Sequence, residues 1–526
     1  MLGAAVVIAV AMMLGAAPVR GSVIPQDAEP TAQPERLTLG DAIRLAIDNN
    51  PEYQRTRNDL GPAEWGVREA YGRLLPSANI SSSARYTEAG VQRIGTLDFG
   101  QQSTDWFTSN YSLGVNWSID GRTIFGIGSA RARRLATDAR IQASRFDLES
   151  TVTLRYMAAL RARDGVDVAR REHERARENF EIVRTRVEAG TAAGTEGKQA
   201  EIDLGRAEVA LIRAEQALVN EKLLLAEQIG VTMAGEFELV GDLTVFDPAW
   251  SLEALVESAL ARNPSLRALD MEASASQARV RQERSSYFPR ISVSAGWGGN
   301  TREALNDQFL VDQAEANAHA SLQNCQRWQL IQNAVGQPLP GLEISDGCGS
   351  GTITAAQRAS ILESNDVFPF DFTQNPFSMG LTVSIPLFEG FSRQRQVEEA
   401  QAAERDARHG RRAEELRLRT AVTRAYNALT SAHRVVRIEQ TNRELAAERL
   451  ELARQRYRIG AYAAQGGLGG ARTAGSTFLE LLDAQSSMTT AERDHLDAVY
   501  DFHLALAQLE AATGRRLRDD SATTDE

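Results

Sequence analysis

The sequence predicts a mainly α protein with a transmembrane β-barrel, built as two tandem structural repeats with long coiled-coil-like helices and four β-strands per chain. Three observations predict it. First, Leu39, Ala46 and Asn50-Pro51 recur as Leu252, Ala259 and Asn263-Pro264, and the same spacing carries Pro76 onto Pro289. Further on, Ser112, Gly114 and Ser118 match Ser378, Gly380 and Ser384, and Leu148, Val152 and Tyr156 match Leu418, Val422 and Tyr426. One long unit is therefore present twice, and the second copy carries insertions. Second, four runs alternate apolar and polar residues with period 2, as strands crossing a bilayer do. Third, two stretches lack proline and are nearly free of glycine, so each can form one very long helix.

In chain order, residues 1–21 read as a secretory signal, an apolar run ending in small residues. Residues 22–36, with three prolines, read as a flexible lead-in. The first repeat spans 37–230. Its Pro51–Leu75 segment suggests a helix kinked or broken near Gly61-Pro62. Strands follow near 77–86 and 111–119, where Tyr111, Leu113, Val115, Trp117 and Ile119 alternate with Ser112, Gly114, Asn116 and Ser118. A helix over 122–188 would extend ~100 Å. A connection over 231–249 leads to the second repeat, 250–514. There the strands fall near 290–297 and 377–385, an extracellular loop occupies 298–376, and the long helix covers 392–458. The seams Leu148, Val152, Tyr156, Ala159 and Leu418, Val422, Tyr426, Leu429 have coiled-coil-like spacing. Each long helix is expected to stop at a glycine, Gly190 or Gly460, before a shorter helix returns. The second tip carries a Gly-rich insertion, 461–475, and the chain closes with a disordered tail, 515–526.

Composition excludes several classes. A net charge of −12 speaks against nucleic-acid partners. The mean hydropathy of −0.32 excludes a polytopic helical membrane protein. Of 58 basic residues only Lys198 and Lys222 are lysines. No catalytic group is expected. The segment Gly190 to Gln199 mimics a phosphate loop but lacks its glycine spacing and the hydroxyl after Lys198. The six histidines are scattered, so neither a metal site nor a cofactor is expected.

Four amphipathic strands cannot close a barrel, and an open edge in lipid leaves backbone groups unsatisfied. The chain must pool strands with copies of itself, eight from two or twelve from three. Aromatic residues cluster around the strands, with Trp106, Phe107, Trp117, Trp297, Phe368, Phe370 and Phe372 where interfacial girdles would sit. Cys325 and Cys348, both in the 298–376 segment, are expected to form a disulfide in an oxidising compartment.

The two-copy plan, the Asn50-Pro51 and Asn263-Pro264 segments and Pro386-Leu-Phe-Glu-Gly-Phe391 resemble the TolC family. So do the helix tips at Gly190 and Gly460 and the segment Leu481-Leu-Asp-Ala-Gln485. The resemblance implies a homotrimer in the outer-membrane lipid of a Gram-negative-type bacterium. A twelve-stranded barrel would continue into a periplasmic α-barrel tunnel, the exit duct of a tripartite efflux pump or type I secretion system. It further implies two partners, a periplasmic adaptor (membrane fusion) protein and an inner-membrane transporter of RND or ABC type. By the same resemblance Thr195 and Glu196 match gate positions and Tyr457 matches a tyrosine that bonds such an acid. Glu480 and Asp483 match paired acids that ring the periplasmic constriction. Arg186, Val187 and Gly190, with Arg456, Tyr457 and Gly460, match the tips that meet an adaptor. The alternative is an exported coiled-coil scaffold or adhesin with a β-rich domain.

Overall fold

The computed structural model describes residues 36–94, 97–102, 104–232, 237–241, 243–336, 348–465 and 470–517. The signal segment, nearly all of the lead-in, most of the tail and residues 466–469 of the second tip lie outside the described residues. In chain order the elements are β1 (36–37), α1 (39–49), α2 (51–58), α3 (60–72), β2 (77–87), β3 (90–94), β4 (97–102), β5 (106–119), α4 (121–188) and α5 (194–229). The second half adds β6 (238–239), α6 (252–262), α7 (264–284), β7 (290–304), α8 (307–335), α9 (355–365), β8 (373–384), α10 (392–465) and α11 (470–513). No helix among the described residues is long and apolar enough to cross a membrane.

Contacts divide the chain into two units. One unit comprises residues 1–60, 136–271 and 408–526. Here the repeated Asn-Pro pairs act as clasps. Asn50 ends α1 and caps α2, accepting from Tyr53 N at 2.9 Å, while its Nδ2 donates to Gln228 O at 2.9 Å. Asn263 repeats this, accepting from Ser265 N at 2.9 Å and donating to Ala512 O at 3.1 Å. In each copy the returning helix ends at a left-handed glycine, Gly230 (φ 81°) or Gly514 (φ 70°), packed onto that asparagine segment. A Cβ would meet Asn49 O at 2.5 Å or the Asn263 Cα at 2.9 Å, so only glycine fits. Proline after the asparagine suits the first helical position, where no donor is lost.

Each clasp closes its own core. Leu148, Val152, Tyr156 and Leu160 of α4 pack with Leu37, Ile43, Leu225 and Ile229. Leu418, Val422 and Leu429 of α10 pack with Leu255, Leu266, Phe502 and Leu506. Both seams are therefore buried, Tyr426 only in part. β1 and β6 form a short parallel pair, and the Tyr156 hydroxyl lies 2.7 Å from Leu37 O and 2.6 Å from Val240 O. Of the two lysines, both on α5, Lys222 donates to Phe237 O at 2.9 Å, whereas Lys198 is exposed.

The other unit comprises residues 61–135 and 272–407. It holds a four-stranded antiparallel sheet in the order β2-β5-β7-β8. Ile80 pairs with Leu113 and Leu113 with Trp297, while Ser81 pairs with Ser112 and Ser112 with Gly298. One face is thus apolar and the other polar, as period 2 requires. Three boundaries differ from expectation. β5 begins at Trp106 rather than Tyr111, β7 continues to Ala304 rather than Trp297, and β8 begins at Thr373 rather than Phe377. Gly298-Gly299-Asn300 breaks the apolar pattern there; the ladder to β5 runs on unshifted, while the pairing with β8 shifts register between Gly296 and Gly298. Parity places Trp106 on the polar face with Thr108 and Asn110, so it does not belong to an aromatic girdle. Phe107 does lie on the apolar face, 5.0 Å from the Phe368 ring and 5.5 Å from Tyr86.

The segment predicted as a loop over 298–376 is largely structured. After β7 it forms α8 and α9, and Cys325 and Cys348 are disulfide-bonded with Cα atoms 5.6 Å apart. Buried Asn365 ties α9 to the end of β7 through Ala304 N and O, each at 2.8 Å.

Candidate functional site

The tips of α4–α5 and α10–α11 bring the predicted gate and docking residues together. α4 ends at Glu188, and Gly190 (φ 73°) turns the chain. Thr191 N and Ala192 N then return to Arg186 O at 2.8 and 3.2 Å, and α5 starts at Gly194. This is a glycine-terminated helix end that satisfies the last carbonyls. The second tip departs from this pattern. α10 runs through Gly460 to Gln465, and α11 starts at Gly470. Gly460 is thus an internal helical residue, and much of the 461–475 insertion lengthens the two helices. The physical reason lies in Ala461, Tyr462, Ala463 and Ala464, which propagate a helix once glycine leaves it unbroken.

Behind the tips lies a small core of Val183, Ala200, Leu450, Ala453, Phe478 and Leu481, with Val187 packed against it. Tyr457 belongs to this core and is 5% exposed. The Arg186 guanidinium sits over its ring at 4.6 Å. Burial pushes the Tyr457 phenol above its ordinary value, opposed by nearby Arg186 and reinforced by Glu196. No hydrogen bond joins Tyr457 to Glu196; the Tyr457 hydroxyl and Glu196 Oε2 are both buried without a partner. Thr195 is exposed beside Glu196 in the first turn of α5.

The acid pair is held differently. Arg456 Nη1 lies 2.6 Å from Glu480 Oε1, and Arg449 Nη2 lies 2.5 Å from Asp483 Oδ2. Each acid on α11 is paired with an arginine on α10, Glu480 with Arg456 and Asp483 with Arg449. These pairs are largely exposed, and such pairs contribute up to about 1 kcal/mol each. They can therefore be exchanged for other partners.

One set of residues escaped the sequence reading. On α10, Ile438, Leu445, Leu452 and Ile459 recur every seven residues and are 55–67% exposed. On α5, Ile202, Val209, Ile212 and Val219 form a second exposed stripe. The heptad spacing was the available signal. Neither stripe has a partner helix among the described residues, as a seam for another chain would not.

A sheet with one apolar face and two unpaired edges, joined in sequence to long helical hairpins, defines a protein of the outer-membrane channel class. The chain belongs to the outer membrane efflux protein family, whose model matches residues 42–231 and 329–515. The alkaline protease secretion protein AprF of Pseudomonas aeruginosa is 26% identical over 287 residues, covering 52% of this chain and 59% of the relative. The cobalt-zinc-cadmium resistance protein CzcC of Cupriavidus metallidurans is 23% identical over 270 residues, covering 51% and 60%. The matches span about three fifths of the length of these relatives. Among solved structures, the outer membrane protein VceC of Vibrio cholerae superposes with a TM-score of 0.62 at 16% identity, covering 91% of this chain and 96% of that one. The CmeC outer membrane channel of Campylobacter jejuni gives 0.64 at 14% identity, covering 92% and 88%. These likenesses show the fold.

Proposed function

We propose that three copies of this chain form a passive outer-membrane exit duct for an efflux pump or a type I secretion system. The observation that carries the reading is the sheet. Its apolar face is exposed, with Phe377, Met379, Leu381 and Val383 at 52–68%, and among the described residues both its edge strands, β2 and β8, lack an outer neighbour. In water such a face is unfavourable, and in lipid open edges are forbidden. Twelve strands from three copies remove both problems. The exposed stripes on α5 and α10 supply seams for closing the helices into a tunnel. At the tips, the acids Glu480 and Asp483 would ring the bore, six carboxylates that favour cations once their arginines are drawn away. A periplasmic adaptor meeting Arg186, Val187 and Arg456 would draw them away, and an inner-membrane transporter of RND or ABC type would supply the energy.

The purified protein is expected to run as an SDS-resistant trimer from the outer-membrane fraction and to conduct ions in planar bilayers. A soluble monomer or dimer refutes the proposal. Glu480→Ala with Asp483→Ala should lower cation preference and weaken block by multivalent cations; unchanged conductance and block remove these residues from the gate. Relatives named for protease secretion and metal resistance leave two cargo classes. Deleting the gene and scoring protein export against sensitivity to metals and drugs separates them.

A further inference from the structure

Most of the sheet's polar face carries no charge. Asn79, Gly114 and Gly296 align across it, and so do Ser81, Ser112 and Gly298. The four strands contain only four charged residues, Arg85, Arg290, Arg302 and Glu303. Glu303 lies on the apolar face and accepts from Phe368 N at 2.7 Å. Arg290, at the end of the sheet that leads into α4, lies 3.2 Å from Asp120 and is thereby neutralised.

Arg85 and Arg302 differ from these. The register Arg85–Thr108–Arg302 places them on the polar face at one level, either side of Thr108. Two strand spacings separate them, about 10 Å. Both are exposed, and no carboxylate among the described residues pairs with either. The nearby Asp105 is already engaged by the Tyr86 hydroxyl at 2.9 Å and by Ala89 N at 2.6 Å. The Arg302 guanidinium rests 3.9 Å over the Trp106 ring, which braces the side chain without neutralising it.

We infer that Arg85 and Arg302 form an anion-attracting ring at the outer mouth of the barrel and set its charge preference. The inference rests on the trimeric-duct reading, in which two arginines from each of three chains face one lumen. Neutral serine, asparagine and glycine below them leave their field uncompensated, and it reaches about 8–10 Å into physiological saline. Acids shielded by arginines stand at the helix tips, and unshielded arginines stand at the mouth.

The test measures permeability ratios of the wild-type trimer and of Arg85→Gln with Arg302→Gln, in planar bilayers under a potassium chloride gradient. The double variant should raise the potassium-to-chloride permeability ratio, because rings of lumen arginines favour anions and their removal takes that preference away. Inorganic pyrophosphate, added to the α8–α9 side only, should reduce wild-type conductance and leave the variant unaffected. Thr108→Glu, which sets an acid between the two arginines, should reproduce the shift, whereas Arg85→Lys with Arg302→Lys should not. A conducting variant whose ratio and pyrophosphate response match wild type overturns this inference alone. A wild-type protein that forms no pore overturns the duct reading along with it.

Discussion

The two repeats are alike where their helices are clasped and unlike where their loops turn. At the clasps, Asn50 with Gly230 and Asn263 with Gly514 use the same side-chain bonds and the same left-handed glycine. At the tips, Gly190 is a left-handed stop, while Gly460 sits inside a helix that continues to Gln465. In the hairpins, the first repeat joins its strands through the small β3–β4 ribbon, and the second through two helices and a disulfide. The difference separates what the fold demands from what it tolerates. The clasps close the two cores and are built alike in both repeats, whereas the turns close no core and differ between them.

The largest expected effect tests the hairpins. Cys325→Ser with Cys348→Ser should cost the α8–α9 insertion about 3 kcal/mol. Hydrogen exchange should speed up over 307–365 and stay unchanged over β3–β4; uniform exchange would remove the contrast. Next come the tips. Gly190→Ala should destabilise by about 1–2 kcal/mol, because alanine is strained at positive φ. Gly460→Ala should stabilise by about 0.5–1 kcal/mol. Denaturant melts of the detergent-solubilised protein give both signs, and equal signs would show that the tips end alike. At the clasps, Asn50→Ala and Asn263→Ala should each cost about 1 kcal/mol, the value of a lost cap. A marked inequality would break the symmetry between the repeats. Smallest is Tyr457→Phe, which removes a buried hydroxyl that has no hydrogen bond and should be neutral or slightly stabilising.

The same tyrosine bears on pH. Burial raises Tyr156, Tyr457 and Tyr500 above the ordinary tyrosine value of 10.0, Tyr500 with help from its bond to Asp164. A raised folded value means that the native state holds these protons more tightly than the unfolded chain. Their contribution is therefore complete below pH 10 and is lost as the pH climbs above it. Alkaline melts should show this loss, smaller in Tyr457→Phe.

The residues that announced themselves were those with a strict period or a duplicated partner. The strands near Ile80, Leu113, Val293 and Leu381 were readable because one-sided burial enforces alternation. The seams of α4 and α10 were readable for the corresponding helical reason. What stayed hidden depended on context. Gly460 reads as a stop, yet glycine only permits a turn, and the alanines after it decide the outcome. The helices α8 and α9 read as a loop in sequence because their glutamines, asparagines and alanines show no clear apolar face. At the site, the residues of the acid pair could be placed by resemblance, but not their arginine partners, which come from another helix. The polar-face pair Arg85 and Arg302 became visible only once the register set them either side of Thr108.

The scarcity of lysine makes the molecule unusually easy to label. Lys222 is held against the Phe237 carbonyl and ring, while Lys198 stands exposed two residues beyond Glu196. An amine-reactive dye of ordinary size should therefore mark chiefly one side chain per chain, beside the proposed gate. Three dyes in a trimer would form a small triangle whose energy transfer grows or fades as the tips close or part, without the need to introduce a cysteine.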